Sequence, residues 1–197
     1  MPTVYFVIPC YNEEEVLHET VKRLSAKLDA MQKSGLANDR SRMLLVDDGS
    51  RDKAWSIISE LNTQNPYVEG VKLAHNRGHQ NALIAGLETA VKYCDCAISL
   101  DADLPDDTEV LDEFVQKYME GCDVVYGVRN KRETDSFFKR TTAEGFYKVM
   151  KMLGVDIVFN YSYYRMMSRL ALADLADSQE DQIFLIGIVQ LIGDRSD

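Results

Sequence analysis

The first hundred residues alternate between two hydrophobic patterns, and this alternation restricts the possible folds more than any other feature of the sequence. Between short apolar runs, apolar residues recur every three or four positions, as they do along one face of a helix. The order β-α-β-α-β-α-β predicts an α/β domain with a doubly wound, mostly parallel, Rossmann-like sheet. The apolar runs, which are typical of strands buried on both faces, are Val4–Pro9, Met43–Val46, Val68–Leu73 and Ala97–Leu100.

Apolar residues at helical spacing predict the other elements. The stripe from Leu17 to Met31 predicts a first helix, and Gly35 is expected to end it, because glycine readily adopts the left-handed conformation found after a helix C-terminus. The later predictions are a helix after Ser50, a helix carrying Leu83–Val91, a helix at Val110–Tyr118, a strand at Asp123–Val128, a helix at about Phe138–Leu153, a strand at about Tyr161–Met166 and two short helices.

Composition and charge disfavour several classes of protein. The chain has 197 residues, enough for one α/β domain, and its net charge of −10 disfavours a nucleic-acid binder. No apolar run reaches the roughly 18 residues of a membrane span, and no basic flank or cleavage site near Thr3 marks a signal peptide. The four cysteines fit neither zinc nor C-x-x-C spacing, so we expect reduced, partly buried thiols. Together these features predict a soluble, cytoplasmic chain.

The charge is unevenly distributed in the second half of the chain. Residues 101–123 contain nine acidic side chains and one lysine, whereas residues 129–151 contain seven Lys or Arg and three acids. This order suggests a place for a metal ion followed by a place for phosphates. Two solvated helix faces would give the same composition.

Polar segments follow all four early strands. Ligands of open α/β sheets bind beyond the carboxyl ends of the strands, so these segments are expected to form one rim rich in carboxylates. The segments are Pro9–Glu13, Asp47–Ser50, His75–Asn81 and Asp101–Asp103.

Asp101 and Asp103 are the sharpest element of this rim. Two carboxylates one residue apart, just past a buried strand, can converge on a hard divalent cation that keeps waters and is completed by substrate phosphates. Aspartates that cap a helix look similar in sequence.

The other segments have two interpretations each. Asp47–Ser50 can be a turn with a tight bend at Gly49 and a helix N-cap at Ser50, and it can also supply a carboxylate for a base or ribose. Arg77 suits a phosphate but can equally be a surface arginine. His75 and His79 are four residues apart, yet the intervening Gly78 disfavours a helical pair of metal ligands.

Four ordered segments resemble glycosyltransferase family 2, whose members have a GT-A fold. They are Val7–Glu15 (VIPCYNEEE), Leu45–Ser50 (LVDDGS), Asn76–His79 (NRGH) and Ser99–Leu104 (SLDADL). Three later segments resemble its polyprenyl-phosphate branch, which transfers sugars to dolichol or undecaprenyl phosphate: Gly127–Arg129, Asp135–Arg140 and Tyr164–Arg169.

The resemblance implies an inverting hexosyltransferase of the cell envelope that uses a nucleotide sugar, with a UDP-sugar preferred, and a polyprenyl-phosphate acceptor. It divides the chain into a nucleotide-sugar-binding half at about 1–104 and an acceptor half at about 105–197. The implied roles are Pro9, Tyr11, Asn12 and Glu13 lining the base and ribose, Asp48 reading the base, Arg77 and Gly78 near the nucleotide phosphates, Asp101 and Asp103 holding Mg²⁺ or Mn²⁺, and Arg129 and Arg132 meeting the diphosphate or the acceptor phosphate.

The chain departs from the branch at three positions. Pro105 stands where the branch usually has Gln, Tyr163 replaces an Asp, and Ile186 stands where Arg is common. These changes keep open an alternative, a degenerate relative that binds nucleotide sugars with little transfer. Members of the branch usually continue past the equivalent of Asp197 into membrane-anchoring helices, which implies a place at the cytoplasmic face of the membrane.

Two other enzyme classes are disfavoured. A haloacid-dehalogenase-type phosphatase also has a D-x-D after a strand, but its motif opens the fold, whereas three βα units precede Asp101 here. A Rossmann dehydrogenase would carry G-x-G-x-x-G after the first strand, and the sequence has none there.

Overall fold

The computed structural model describes residues 1–104, 108–128 and 161–177. These residues form six strands and five helices. In chain order they are β1 (Val4–Cys10), α1 (Leu17–Ser34), β2 (Arg42–Asp47), α2 (Ala54–Gln64), β3 (Val68–Lys72), α3 (His79–Ala90), β4 (Cys96–Ser99), α4 (Val110–Met119), β5 (Val124–Val128), β6 (Tyr161–Ser168) and α5 (Arg169–Asp177).

One sheet contains all six strands in the order β3-β2-β1-β4-β6-β5. The first four are parallel, and their register places Cys10 beside Asp47 and Asp47 beside Lys72, so β1, β2 and β3 end at the same edge. The predicted doubly wound, mostly parallel sheet is therefore confirmed. β6 is antiparallel to both of its neighbours and lies between β4 and β5, an insertion that the periodicity did not predict.

Helices cover both faces of the sheet, which explains why β1 is apolar along its length. On one face Phe6 and Ile8 pack in a core that includes residues of α1, α2 and α4. On the other face Tyr5 and Val7 pack in a second core with residues of α3 and α5. Side chains of a strand alternate between faces, so the side chains of a strand between two cores are shielded from solvent on both faces.

Two predictions about helix ends had different outcomes. Gly35 ends α1 in the left-handed conformation, with φ of 81°, as predicted. The interpretation of Ser50 as an N-cap is wrong, because α2 begins at Ala54 and the Asp52 carboxylate accepts the Ala54 N–H instead. The hydroxyl oxygen of Ser50 accepts the N–H of Asn12, so it joins two loops rather than starting a helix.

All four cysteines are free and buried. Burial raises the pKa of the Cys94 thiol to about 12 and raises the pKa values of Cys10 and Cys96 as well. The expectation of reduced thiols agrees with this arrangement. In the described residues no helix has both the length and the apolar character needed to cross a membrane. The helix predicted at about 138–153 and the final short helix lie outside the described residues.

α3 packs closely against the sheet at Gly86. A Cβ atom at this position would lie 2.5 Å from Cγ1 of Val7 and 2.8 Å from Cγ2 of Val46, both shorter than van der Waals contact. Valine side chains have little freedom to move aside, because branching at Cβ fixes their rotamer. The absence of a side chain at Gly86 therefore sets how close α3 lies to β1 and β2.

We expect Gly86→Ala to lower the free energy of unfolding by a net amount of up to ~2 kcal/mol. Overpacking of this kind costs about 1–3 kcal/mol, and the roughly 1 kcal/mol that alanine gains over glycine within a helix offsets part of this cost. Urea unfolding of the variant and the wild type measures the difference. An equal or higher stability of the variant would show that α3 can shift without loss.

Candidate functional site

The loops that follow β1, β2, β3 and β4 surround one cavity at the carboxyl edge of the sheet. Its volume is about 340 Å³. Among the predicted site residues that the structure describes, all except Asn12 and Arg77 line it. The lining consists of Pro9, Cys10, Tyr11, Glu13, Asp48, Asn76, Gly78, His79, Asp101, Ala102 and Asp103. The four predicted polar segments therefore meet at one rim around this cavity.

The first and second loops exchange hydrogen bonds. The Asn12 N–H donates to Oγ of Ser50 at 3.0 Å, and the Asn12 side-chain oxygen accepts the Arg51 N–H at 2.9 Å. Two residues further on, the Glu14 N–H donates to the Asp52 carboxylate at 3.0 Å. Asn12 adopts a positive φ of 56°, which asparagine tolerates better than most residues. Asn12 thus joins the loops, and its predicted contact with the nucleotide stays a prediction.

Asp48 fastens the second loop to the third. Its carboxylate is 2% exposed and accepts two backbone N–H groups, from Arg77 at 2.7 Å and from Gly78 at 2.9 Å. Each carboxylate oxygen can accept a second hydrogen bond, so the predicted reading of a base by Asp48 stays a prediction beside this observed role.

Gly49 lets the second and third loops approach each other. Its φ is +68°, and a Cβ there would lie 2.6 Å from backbone atoms of both His75 and Asn76. The tight bend expected at Gly49 is confirmed. Any side chain at this position would push the third loop away from Asp48.

Arg77 lies apart from the other predicted phosphate-binding residues. It lines a second cavity of about 310 Å³, together with Leu73, Asn81, Ile84, Ala85 and Glu88. Its backbone N–H donates to Asp48, and its carbonyl accepts the side-chain N–H of Asn81. The structure therefore does not bring Arg77 to the cavity of Asp101 and Asp103.

Asp101 and Asp103 belong to a tight turn after β4. The Leu104 N–H donates to the Asp101 carbonyl at 3.2 Å, and Leu104 has a φ of 41°, a left-handed conformation that is strained for leucine. Ala102, between the two aspartates, is 4% exposed and packs in the core. The turn thus buries its middle residue while both carboxylates line the cavity.

The cavity concentrates negative charge. Burial, the charge of Asp103, and then those of Asp52 and Asp101 raise the pKa of Glu13. Nε2 of His79, the first residue of α3, lies 3.5 Å from Oδ1 of Asp101. A divalent cation would relieve the repulsion among these carboxylates, and their oxygen atoms are the ligands that Mg²⁺ and Mn²⁺ prefer. The residues present therefore fit such an ion.

The protein would supply few ligands to this ion. Within the described residues, no group of three or more His, Cys, Asp and Glu side chains is arranged to hold a metal. Two carboxylates alone leave most of an octahedral shell to water and to substrate phosphates, which is the usual arrangement for Mg²⁺ at nucleotide sites.

Several residues fall outside the sequence predictions or outside the described chain. His79, Asn76 and Ala102 line the cavity without having been predicted as binding residues. The three residues lie next to motif residues in the sequence, and this adjacency was the signal that could have indicated them. The sequence prediction for His79 concerned only a pair of metal ligands with His75. Arg129, Arg132, Pro105 and Ile186 lie outside the described residues, and for Tyr163 only the backbone in β6 is described.

Comparisons with known proteins agree with this geometry. The family model "Glycosyl transferase family 2" matches residues 5–176. An uncharacterized glycosyltransferase of Bacillus subtilis, YkoT, is 47% identical over 195 residues, which cover 99% of this chain and 58% of YkoT. A prophage bactoprenol glucosyl transferase homolog of Escherichia coli is 32% identical over 198 residues, covering 98% of this chain and 61% of the relative. The chain thus spans less than two thirds of the length of these relatives.

Solved structures share the fold at low sequence identity. TarS of S. aureus, residues 1–349, is 20% identical with a TM-score of 0.64, covering 98% of this chain and 57% of TarS. A mannosyltransferase from Pyrobaculum calidifontis, solved in complex with GDP-Man and Mn²⁺, is 21% identical with a TM-score of 0.57, covering 88% of this chain and 46% of that protein. These likenesses confirm the predicted GT-A fold.

Glu13→Gln should stabilise the protein at neutral pH. Because the pKa of Glu13 is raised in the folded state, ionisation of this carboxyl disfavours folding. Both states are protonated well below the usual pKa, so the variant's advantage should be absent in acid, should grow as the pH rises from the usual pKa to the raised value, and should level off above it. Unfolding free energies measured across this range test the sign. Glu15→Gln, at an exposed neighbouring position, is the control for the removal of one negative charge. A pH-independent difference between Glu13→Gln and the wild type would contradict the prediction.

Asp48→Asn should loosen the third loop. An asparagine keeps one acceptor oxygen but turns an NH₂ group toward one of the two backbone N–H donors. The loss of this hydrogen bond should reduce the stability of the loop by about 1–3 kcal/mol. We expect amide hydrogen exchange at Arg77 or Gly78 to accelerate by about tenfold or more. Asp39→Asn, at an exposed position, should leave these exchange rates unchanged. Slow exchange at both amides in Asp48→Asn would refute the role assigned to the carboxylate.

Proposed function

Because this chain belongs to glycosyltransferase family 2, we propose that it transfers a hexose from a nucleotide sugar to a polyprenyl phosphate. The observation that carries this proposal is the cavity in which Asp101 and Asp103 face the loops carrying Tyr11 and Asp48. The bactoprenol glucosyl transferases among its relatives support the acceptor class. Since the chain spans only about 60% of their length, the activity of the whole protein is part of the proposal.

The cavity fits the nucleotide portion of the donor. Its volume of about 340 Å³ is that of a small-molecule site. Tyr11, 38% exposed, offers an aromatic face on which a base can stack. We assign Pro9, Asn12 and Glu13 to the base and ribose side with Tyr11, as the family resemblance implies. The donor is a UDP-sugar by preference, with a GDP-sugar as the other candidate.

Asp101 and Asp103 would hold Mg²⁺ or Mn²⁺ against the donor diphosphate. Their turn follows β4, which pairs with β1, so it lines the cavity beside the loop that carries Tyr11, and Gly78 lines the same cavity. A bound divalent cation supplies charge stabilisation of the departing nucleoside diphosphate. The Mn²⁺ in the mannosyltransferase complex supports a divalent ion for this fold.

The transfer step needs little from a general base. An oxygen of the acceptor phosphate is already anionic and can form a bond to the anomeric carbon as the bond to the nucleoside diphosphate breaks. The electron pair of the breaking bond stays with the diphosphate, and attack from the opposite face inverts the anomeric configuration. We assign Arg129 and Arg132, in the basic stretch 129–151, to the diphosphate or acceptor phosphate. Such an acceptor is a lipid, which would place the full protein at the cytoplasmic face of a membrane.

A second candidate function is binding without efficient transfer. Pro105 and Tyr163 replace polar residues of the branch on the side of the diphosphate and acceptor. A degenerate relative of this kind would still hold a nucleotide sugar through the loops after β1, β2 and β3.

Binding and transfer assays separate the two functions. UDP-glucose and GDP-mannose are titrated against the protein with Mn²⁺ present, and transfer of the sugar to polyprenyl phosphate is then measured. Transfer supports the enzyme, whereas binding without turnover supports the degenerate relative. Failure to bind any nucleotide sugar would reject both functions.

Asp103→Ala should weaken Mn²⁺-dependent binding of the nucleotide sugar by more than about tenfold, or 1.4 kcal/mol. The variant removes one of two carboxylates from a site with few protein ligands, so the remaining ligands cannot compensate. Isothermal titration with and without Mn²⁺ measures the effect. Asp39→Ala, which removes an exposed carboxylate elsewhere, is the control. Unchanged Mn²⁺-dependent binding in Asp103→Ala would show that the site is assigned to the wrong residues.

A further inference from the structure

The turn that carries Asp101 and Asp103 is tied to α1 by one buried hydrogen bond. The hydroxyl of Thr20 donates to the carbonyl oxygen of Ala102 at 2.5 Å, and the two residues are 82 positions apart in sequence. Thr20 is 3% exposed and Ala102 is 4% exposed. Neither group is accessible to solvent, so loss of the hydroxyl would leave a buried carbonyl without this donor.

This carbonyl belongs to the peptide unit that leads into the second aspartate. Because the peptide unit is planar, a bond that holds the Ala102 carbonyl oxygen also holds the nitrogen atom to which the Cα of Asp103 is attached. A further hydrogen bond of the turn, from the Leu104 N–H to the Asp101 carbonyl, closes the backbone around this peptide.

The turn needs outside support because it is strained. Leu104 has a φ of 41°, and such a conformation persists only where neighbouring structure enforces it. Ala102 and Leu104 pack in the same core as Leu17 and Val21 of α1, on either side of Thr20 in sequence. The packing holds the turn against α1, and the Thr20 hydroxyl fixes its rotation.

The same helix holds the chain on the far side of the turn. Lys27 is 7% exposed, and its Nζ lies 2.8 Å from Oδ2 of Asp112 in α4 and 3.6 Å from Glu109. Thr20 and Lys27 are seven residues apart, or two helical turns, and share one face of α1. α1 therefore anchors both the turn at Asp101–Leu104 and the start of α4.

We propose that Thr20 is a positioning residue that sets the relative placement of Asp101 and Asp103 for a divalent cation. This inference rests on the cation binding in the proposed function. Thr20 contacts neither the cation nor the substrate; it acts through the peptide between Ala102 and Asp103. A threonine with only a structural role would contribute to stability but not to cation affinity.

The test is a Mn²⁺ titration followed by electron paramagnetic resonance, with and without UDP, on the full chain. Thr20→Val keeps the shape of the side chain and removes the hydroxyl. We expect Mn²⁺ affinity to fall by about tenfold, as for other residues that orient metal ligands. Thr20→Ser retains a hydroxyl and should restore the affinity to within about twofold of the wild type.

A matched control separates positioning from stability. The Thr89 hydroxyl donates to the Ala85 carbonyl within α3, away from the turn. Thr89→Val makes the same substitution outside the turn and should leave Mn²⁺ affinity unchanged, and the melting temperatures of both valine variants are measured beside the affinities. If Thr20→Val does not fold, Thr20→Cys, whose thiol is a weaker donor, should show an intermediate loss of affinity.

The outcomes distinguish the inference from the function on which it rests. Wild-type affinity in folded Thr20→Val or Thr20→Cys would overturn the positioning role while leaving the cation site intact. Absence of Mn²⁺ binding by the wild type, even with UDP, would overturn both the cation site and the inference. A loss of Mn²⁺ affinity in Thr20→Val together with its recovery in Thr20→Ser supports the positioning role of Thr20.

Discussion

The parallel pairing of β1 with β2 on one side and with β4 on the other is the constraint on which the rest depends. It brings the ends of β1, β2 and β4 to one edge of the sheet, with Cys10 beside Asp47 and Ser99 beside Val7, although one or more helices separate each strand from the next. Helices on both faces exclude polar side chains from most of β1, β2 and β4. Polar side chains are therefore concentrated where the strands end, and the cavity forms there and not along the sheet.

Many of the polar side chains at this edge stabilise the loops that form it. Asp48 binds two backbone N–H groups of the third loop, and Asn12 and Ser50 connect the first loop to the second. The fully buried Asp47 accepts the Ser50 N–H at 3.3 Å through one oxygen. Residues that the motifs predict to bind the nucleotide therefore also hold the loops together through hydrogen bonds. The cavity is organised before any nucleotide arrives, which reduces the conformational entropy lost on binding.

Local patterns predicted the elements well, because burial imposes a period of two or of about 3.6 on each segment. They placed β1–β4, the helices between them and the polar rim correctly. They could not place β6 between β4 and β5, since pairing order is not encoded in the periodicity of one strand. They also missed the partner of Ser50, the separate cavity of Arg77 and the bond from Thr20 to Ala102. The contacts of Ser50 and Thr20 join residues 38 and 82 positions apart, and periodicity does not encode such pairings. The cavity of Arg77 lies within Leu73–Glu88 and depends on how the third loop turns into α3.

The burial of the four thiols has a practical consequence for spectroscopy. Thiol reagents attack the thiolate, and burial keeps Cys94, Cys10 and Cys96 protonated by raising their pKa values, while Cys122 is only 5% exposed. A single cysteine introduced on the surface would thus carry a fluorophore or spin label over a low background. A label at such a position could report on the loops without removal of any native cysteine.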